Sequence, residues 1–184
     1  MKKIILAVVF IQSIIVMAQN EDKLPYYEIP EHAKTYTAGS VASRMLDGLG
    51  FRYYWATDGL TPSDLNYKPS ESGRTSDETI NHILQLSQFI LHSISTEKIA
   101  QIEGELSFNE KRKQTLLNIQ EASNILKNIE DISQFDTNRF PFWNIINGPI
   151  SDALWHCGQL VMLRRASGNP FNSKASVFTG KLRD

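Results

Sequence analysis

Residues 75–95, TSDETINHILQLSQFILHSIS, constrain the fold more than any other stretch of the chain. Ile80, Ile83, Leu84, Ser87, Ile90, Leu91 and Ile94 recur at three- and four-residue steps, the period of one helical face. Thr75 and Glu78 stand in front of that face at capping-box spacing. A helix that is apolar along one side must bury that side against other elements. His82, Leu86 and Phe89 lie on the flank of the stripe.

Three further segments share the period. In SFNEKRKQTLLNIQEASNILKNIEDI, Ser107 and Glu110 repeat the capping-box spacing. Leu116, Ile119, Ser123, Leu126 and Ile129 form its stripe, and Lys, Glu and Gln side chains read as a solvated opposite face. Earlier, YTAGSVASRMLDGLGFRYYWATDGL places Val41, Met45 and Leu49 at four-residue spacing, with Ala42, Leu46 and Tyr53 beside them. Gly48 and Gly50 mark either a weak middle or a close helix contact. The last segment, GPISDALWHCGQLVMLRRASGNP, has Pro149 as a helix start and Gly168 with Pro170 as a stop. Its apolar positions are Ile150, Ala153, Leu154, Cys157 and Val161. TPSDLNYKPSESG is a loop by composition. The aromatic FDTNRFPFWNIINGP is expected to pack over one end of the assembly. No stretch alternates convincingly as a strand. Four amphipathic helices predict an all-α fold, a four-helix bundle over residues 37–184.

The first residues, MKKIILAVVFIQSIIVMAQNEDK, read as a signal peptide over residues 1–18. Lys2 and Lys3 precede an apolar run, and Val16 and Ala18 suit cleavage after Ala18. A retained anchor is the alternative, but the run is short for a membrane span of about 20 residues. Export to the periplasm is therefore expected, with no stable membrane anchor after cleavage. Residues 19–36 read as an extended polar leader with Pro25 and Pro30. Cys157 is the only cysteine, so no intrachain disulfide can form, and its apolar surroundings make it a small buried hydrophobe rather than a reactive thiol. A net charge of -1 gives no reason to expect nucleic acid. A homodimer through a helix face is compatible with such a bundle.

The chain has no GxGxxG, Walker, CxxC or GxSxG signature. Its chemistry-bearing residues are histidines and one aspartate. Asp152 and His156 are four apart and share a helix face, where a carboxylate and an imidazole can bind one divalent cation. The same spacing also suits a plain hydrogen-bonded pair. Gln159 and Leu163 continue that edge, and Gln159 needs a hydrogen-bond partner there. A third ligand must come from another helix, and His82 is the best placed. His92 lies near a helix end and His32 in the leader. Tyr53, Tyr54, Trp55, Trp143 and Trp155 are aromatic residues that could line a pocket or simply fill the core. Arg164 and Arg165 sit in a last turn, where positive charge suits the helix dipole.

TINHILQLSQF followed about seventy residues later by DALWHCGQLVMLRRASGNP resembles the DinB-like (YfiT-like) superfamily of bacterial four-helix bundles. In that family a lone His on the second helix is followed by His-x-x-x-His and Gly-Gln on the last. His82 matches the lone His, and His156 to Gln159 matches the second His with its Gly-Gln pair. The resemblance spans about residues 35 to 170. It implies a divalent metal, Zn or Ni in many members, held by three side chains. It also implies a small-molecule substrate and either metal-dependent hydrolysis or thiol-dependent transfer. The chain departs from the pattern at Asp152, where the family has His. Two His and one Asp remain an acceptable ligand set. A degenerate site in a non-catalytic ligand- or partner-binding bundle is the alternative.

Overall fold

The computed structural model describes residues 24–97 and 104–184. The predicted signal peptide and the first residues of the leader lie outside them. The described chain is mostly helical: α1 (Ala38–Thr57), α2 (Pro62–Asn66), α3 (Ser76–Ile94), α4 (Phe108–Leu126) and α5 (Ser151–Ala166). α1 and α3 each pack against both α4 and α5. Leu46, Leu49 and Tyr53 of α1 meet Ile80, Ile83 and Ile90 of α3, Leu116 and Ile119 of α4, and Ala153 and Cys157 of α5 in one core. None of the described helices is long and apolar enough to cross a membrane.

The capping boxes form as read. The Thr75 hydroxyl accepts from Glu78 N and the Glu78 carboxylate accepts from Thr75 N; Ser107 and Glu110 repeat both bonds. Every apolar position assigned to the α3 stripe is buried. On α1 the buried line is displaced. Val41 is 50% exposed and Met45 half-buried, whereas Ala42, Leu46, Leu49, Tyr53 and Ala56 face the core. The "loop" after α1 contains α2, because Thr61 and Asp64 form a third capping box with Pro62 at the first helical position. A short antiparallel hairpin, β1 (Ala175–Ser176) with β2 (Lys181–Leu182), also escapes the sequence reading. Two-residue strands are too short to show a period.

Pro149 is not a helix start. Helical backbone begins at Trp143–Ile145 and passes through a π turn, Ile146–Ile150, directly into α5. A proline inside an α-helix loses one hydrogen bond and crowds the carbonyl four residues back. The wider π turn relieves that crowding, and Ser151 Oγ donates to Ile146 O at 2.7 Å across it. Gly168 does end the helix, with φ 94.

The leader is not a free polar tail over its described part. Tyr26 is buried with its hydroxyl donating to Asp47 Oδ1 at 3.3 Å, and Ser123 Oγ donates to the same oxygen at 2.6 Å. The Tyr26 ring occupies the space a side chain at position 50 would need, so Gly50 is a close-contact glycine, but toward the leader rather than a helix. Gly50→Ala is expected to expel the ring and cost about 1–3 kcal/mol, as overpacking does. Urea unfolding measures it, with Gly48→Ala, whose new Cβ meets only the flexible Arg52 head, as the comparison.

Two arginines close the C-terminal end of α1, which has no basic residue in its own last turn. Arg112 of α4 donates to Tyr54 O and Thr57 Oγ1, and its guanidinium stacks over the Tyr54 ring. Arg164 of α5 donates to Trp55 O at 2.9 Å and Ala56 O at 3.1 Å, and also to Asn169. The sequence reading gave Arg164 to its own helix dipole; the fold uses it to satisfy the carbonyls of another helix. Lys111 is likewise buried and paired with Asp77, so the charged side of α4 is not wholly a solvated face.

Asp64 ties α2 to the end of α5 by accepting from Ser167 and from Asn169. Burial alone raises its carboxyl, but the bonds from Asn169, Ser167 and Thr61 outweigh burial and hold it well below the usual carboxylate range. The folded value lies below the unfolded value of about 3.9. Its stabilisation is therefore present near neutral pH and lost as pH falls through the acid range. Asp64→Asn is expected to be less stable than the parent at pH 7 and to converge with it toward about pH 2. Urea melts across that range check this; a gap independent of pH contradicts it.

Candidate functional site

The α3–α5 seam brings three predicted ligands together. His82 projects from the flank of the α3 stripe, one residue before the buried Ile83. Asp152 and His156 project from the first two turns of α5. His82 Nε2 lies 3.3 Å from Asp152 Oδ2, and His156 Nε2 lies 3.4 Å from Asp152 Oδ1. The imidazoles meet edge to face with centroids 4.6 Å apart. One ligand atom from each residue falls within 4.8 Å of the others. His92 and His32 do not join them: His92 Nδ1 contacts Gln88 O and His32 Nδ1 contacts Ala33 O.

Two imidazole nitrogens and a carboxylate are a donor set that suits a small divalent cation. The two short spacings run to different Asp152 oxygens, and one donor atom per residue gives a set within 4.8 Å, against the roughly 3.4 Å that separates ligands about 2.0–2.2 Å from a tetrahedral ion. His156 Nδ1 contacts Gln159 Oε1 at 2.7 Å. With that oxygen as acceptor, Nδ1 carries the proton and Nε2 turns a lone pair toward Asp152. This is the orientation that an outer hydrogen bond imposes on a metal-binding imidazole. A lone pair facing a carboxylate is unfavourable without a proton or a cation between them. The Asp152 side chain is 40% exposed, so the centre opens to solvent on one side.

The cavity above the triad has a volume of about 930 Å³. Trp155, Met162, Leu163 and Pro69 supply apolar wall, and Gln159 and Arg74 supply polar groups. Trp155 and Gln159, two of the residues singled out in the sequence, both line it. Tyr53 does not: it is fully buried in the core and does not line the cavity. Burial pushes its hydroxyl well above the ordinary value, which removes it as a proton shuttle at neutral pH. Trp55 packs with Phe51 and Ala175, and neither Tyr54 nor Trp143 lines the cavity. Cys157 faces the core, and burial raises its thiol to about 12, so it supplies no thiolate.

No protein-family model matches the chain, and no curated protein or solved structure matches it. The reading of the site rests on its residues. Arg74, Pro69, Thr79 and Met162 were not marked by sequence reasoning. Met162 carried a signal, since it stands three residues after Gln159 and seven after Trp155, on one helical edge. Arg74 carried none, because it lies in the turn before α3 and reaches the cavity only through the fold.

Proposed function

We propose that the chain is an exported DinB-like four-helix bundle that holds one divalent cation, Zn or Ni, through His82, Asp152 and His156. The observation that carries this is the convergence of those ligand atoms within 4.8 Å from two separate helices. Two imidazoles and one carboxylate suit Zn or Ni and leave coordination positions open toward the cavity. A cation held there supplies Lewis acidity for metal-assisted hydrolysis or thiol-dependent transfer on a small molecule. The chain's own residues do the rest. Gln159 fixes the His156 ring, Asp152 balances charge, and Trp155 and Met162 give a substrate an apolar surface. With Cys157 buried, any thiol in the reaction comes from the substrate side.

One rival has an observation behind it. The His82–Asp152 contact at 3.3 Å is also an acceptable hydrogen bond, which fits a non-catalytic ligand-binding bundle with a degenerate site. Calorimetric titration of chelator-treated protein with Zn²⁺ and Ni²⁺ separates the two. The proposal expects one ion per chain and no binding in His156→Ala. Absence of binding to the parent protein rejects the metal reading and leaves the rival.

A further inference from the structure

Arg74 is the one cationic side chain lining the triad cavity among the described residues, and Asp152 is the one acidic side chain there. With Asp152 and two neutral imidazoles around a divalent cation, the centre keeps one positive charge. Arg74 adds a second in the same lining. Of its acidic neighbours in sequence, Glu71 and Asp77 lie three residues away and Glu78 four; Asp77 pairs with Lys111, Glu78 accepts from Thr75 N at 2.7 Å, and none of the three lines the triad cavity. Arg74 is exposed; its charge helps hold the Glu78 carboxyl down, but among the described residues no hydrogen bond or close ion pair fixes its guanidinium.

The α5 part of the lining carries apolar, exposed side chains. Trp155 is 72% and Met162 63% exposed, although both are large hydrophobic side chains one helical repeat apart. Gly158 lies between them on the cavity lining, and a Cβ there would meet nothing within 4 Å. The floor between Trp155 and Met162 is therefore open to a ligand.

We infer that the cavity takes a small amphiphile with an oxyanion head, a carboxylate or a phosphate ester. Its head sits between the metal centre and Arg74, and its apolar body lies over Gly158 between Trp155 and Met162. The inference rests on the metal reading above and deepens it. The guanidinium fork pairs with two oxygens of such a head, which a hydroxyl cannot offer. The bare indole and thioether give the body a surface to cover.

Isothermal titration of the Zn²⁺-loaded protein with hexanoate, hexyl phosphate and hexan-1-ol tests it. At least one oxyanion is expected to bind about tenfold or more tightly than the alcohol. Preference for hexanoate assigns the head to a carboxylate, and preference for hexyl phosphate assigns it to a phosphate ester. Arg74→Gln, in the exposed turn before α3, is expected to remove most of that advantage and leave Zn²⁺ affinity unchanged. Equal binding of the alcohol, no binding of any probe, or an advantage that survives Arg74→Gln overturns the inference. Stoichiometric Zn²⁺ with any of these results leaves the metal reading intact, whereas failure of Zn²⁺ to bind overturns both.

Discussion

Saturating Zn²⁺ is expected to raise the melting temperature of the chelator-treated protein by about 5–10 °C. A ligand at one hundred times its dissociation constant stabilises the folded state by about 2.7 kcal/mol. In a chain of this size each kcal/mol moves the midpoint by roughly 2–4 °C. The effect is specific because the ligands come from two helices. His82 belongs to α3, and Asp152 and His156 to α5, so the cation would pin the seam that unfolding must open. His82→Ala and His156→Ala are expected to lose the metal-dependent increment entirely. Asp152→Asn keeps an oxygen ligand but not its charge, and is expected to retain only part of it. Differential scanning fluorimetry with and without chelator reads all of these. An increment that persists in both His variants would place the cation elsewhere.

The second large effect concerns Arg164, which is only 4% exposed. Arg164→Met keeps a comparable apolar stem but leaves Trp55 O and Ala56 O without their donor at the buried end of α1. Charged hydrogen bonds and orphaned carbonyls of this kind are together worth about 3–5 kcal/mol. A midpoint fall of roughly 10 °C follows for a chain of this size. The exposed neighbour provides the control: Arg165→Met is expected to stay within about 0.5 kcal/mol of the parent. Arg164→Lys should recover little, since one ammonium cannot span the carbonyls and Asn169 as the fork does. Urea unfolding of the three variants checks the order. Equal stability of the Met variants at 164 and 165 contradicts this account of how α1 and α5 are joined.

What could be read from the sequence followed the strength of local signals. α3 and α4 carry capping boxes and regular stripes, and their starts and buried faces stand where the pattern puts them, except that α4 ends at Leu126 and leaves Ile129, read as the last residue of its stripe, half-buried beyond the helix. α1 contains small residues on several sides, so periodicity alone did not choose between Val41 and Ala42 as the inward position. The fold turns the smaller residue, Ala42, inward. Pro149 misled because proline favours helix starts, and only a π turn, set by packing beyond the local sequence, lets the helix run through it. The triad was legible because i, i+4 spacing aligns Asp152 with His156, and His82 stood beside an unmistakable buried stripe. Tyr53 was misplaced because an aromatic residue at helical spacing looks the same whether it fills a core or faces a ligand. Arg74 was invisible because its role comes from where a turn ends up in space.

The most direct test of the central claim is zinc-edge X-ray absorption on protein loaded with one Zn²⁺ per chain. Two imidazoles and one carboxylate are predicted, with nitrogen and oxygen at about 2.0–2.2 Å. His82→Ala and His156→Ala are each expected to lose the bound-zinc spectrum. Scattering without imidazole, or a spectrum unchanged by both substitutions, would contradict a centre built from His82, Asp152 and His156.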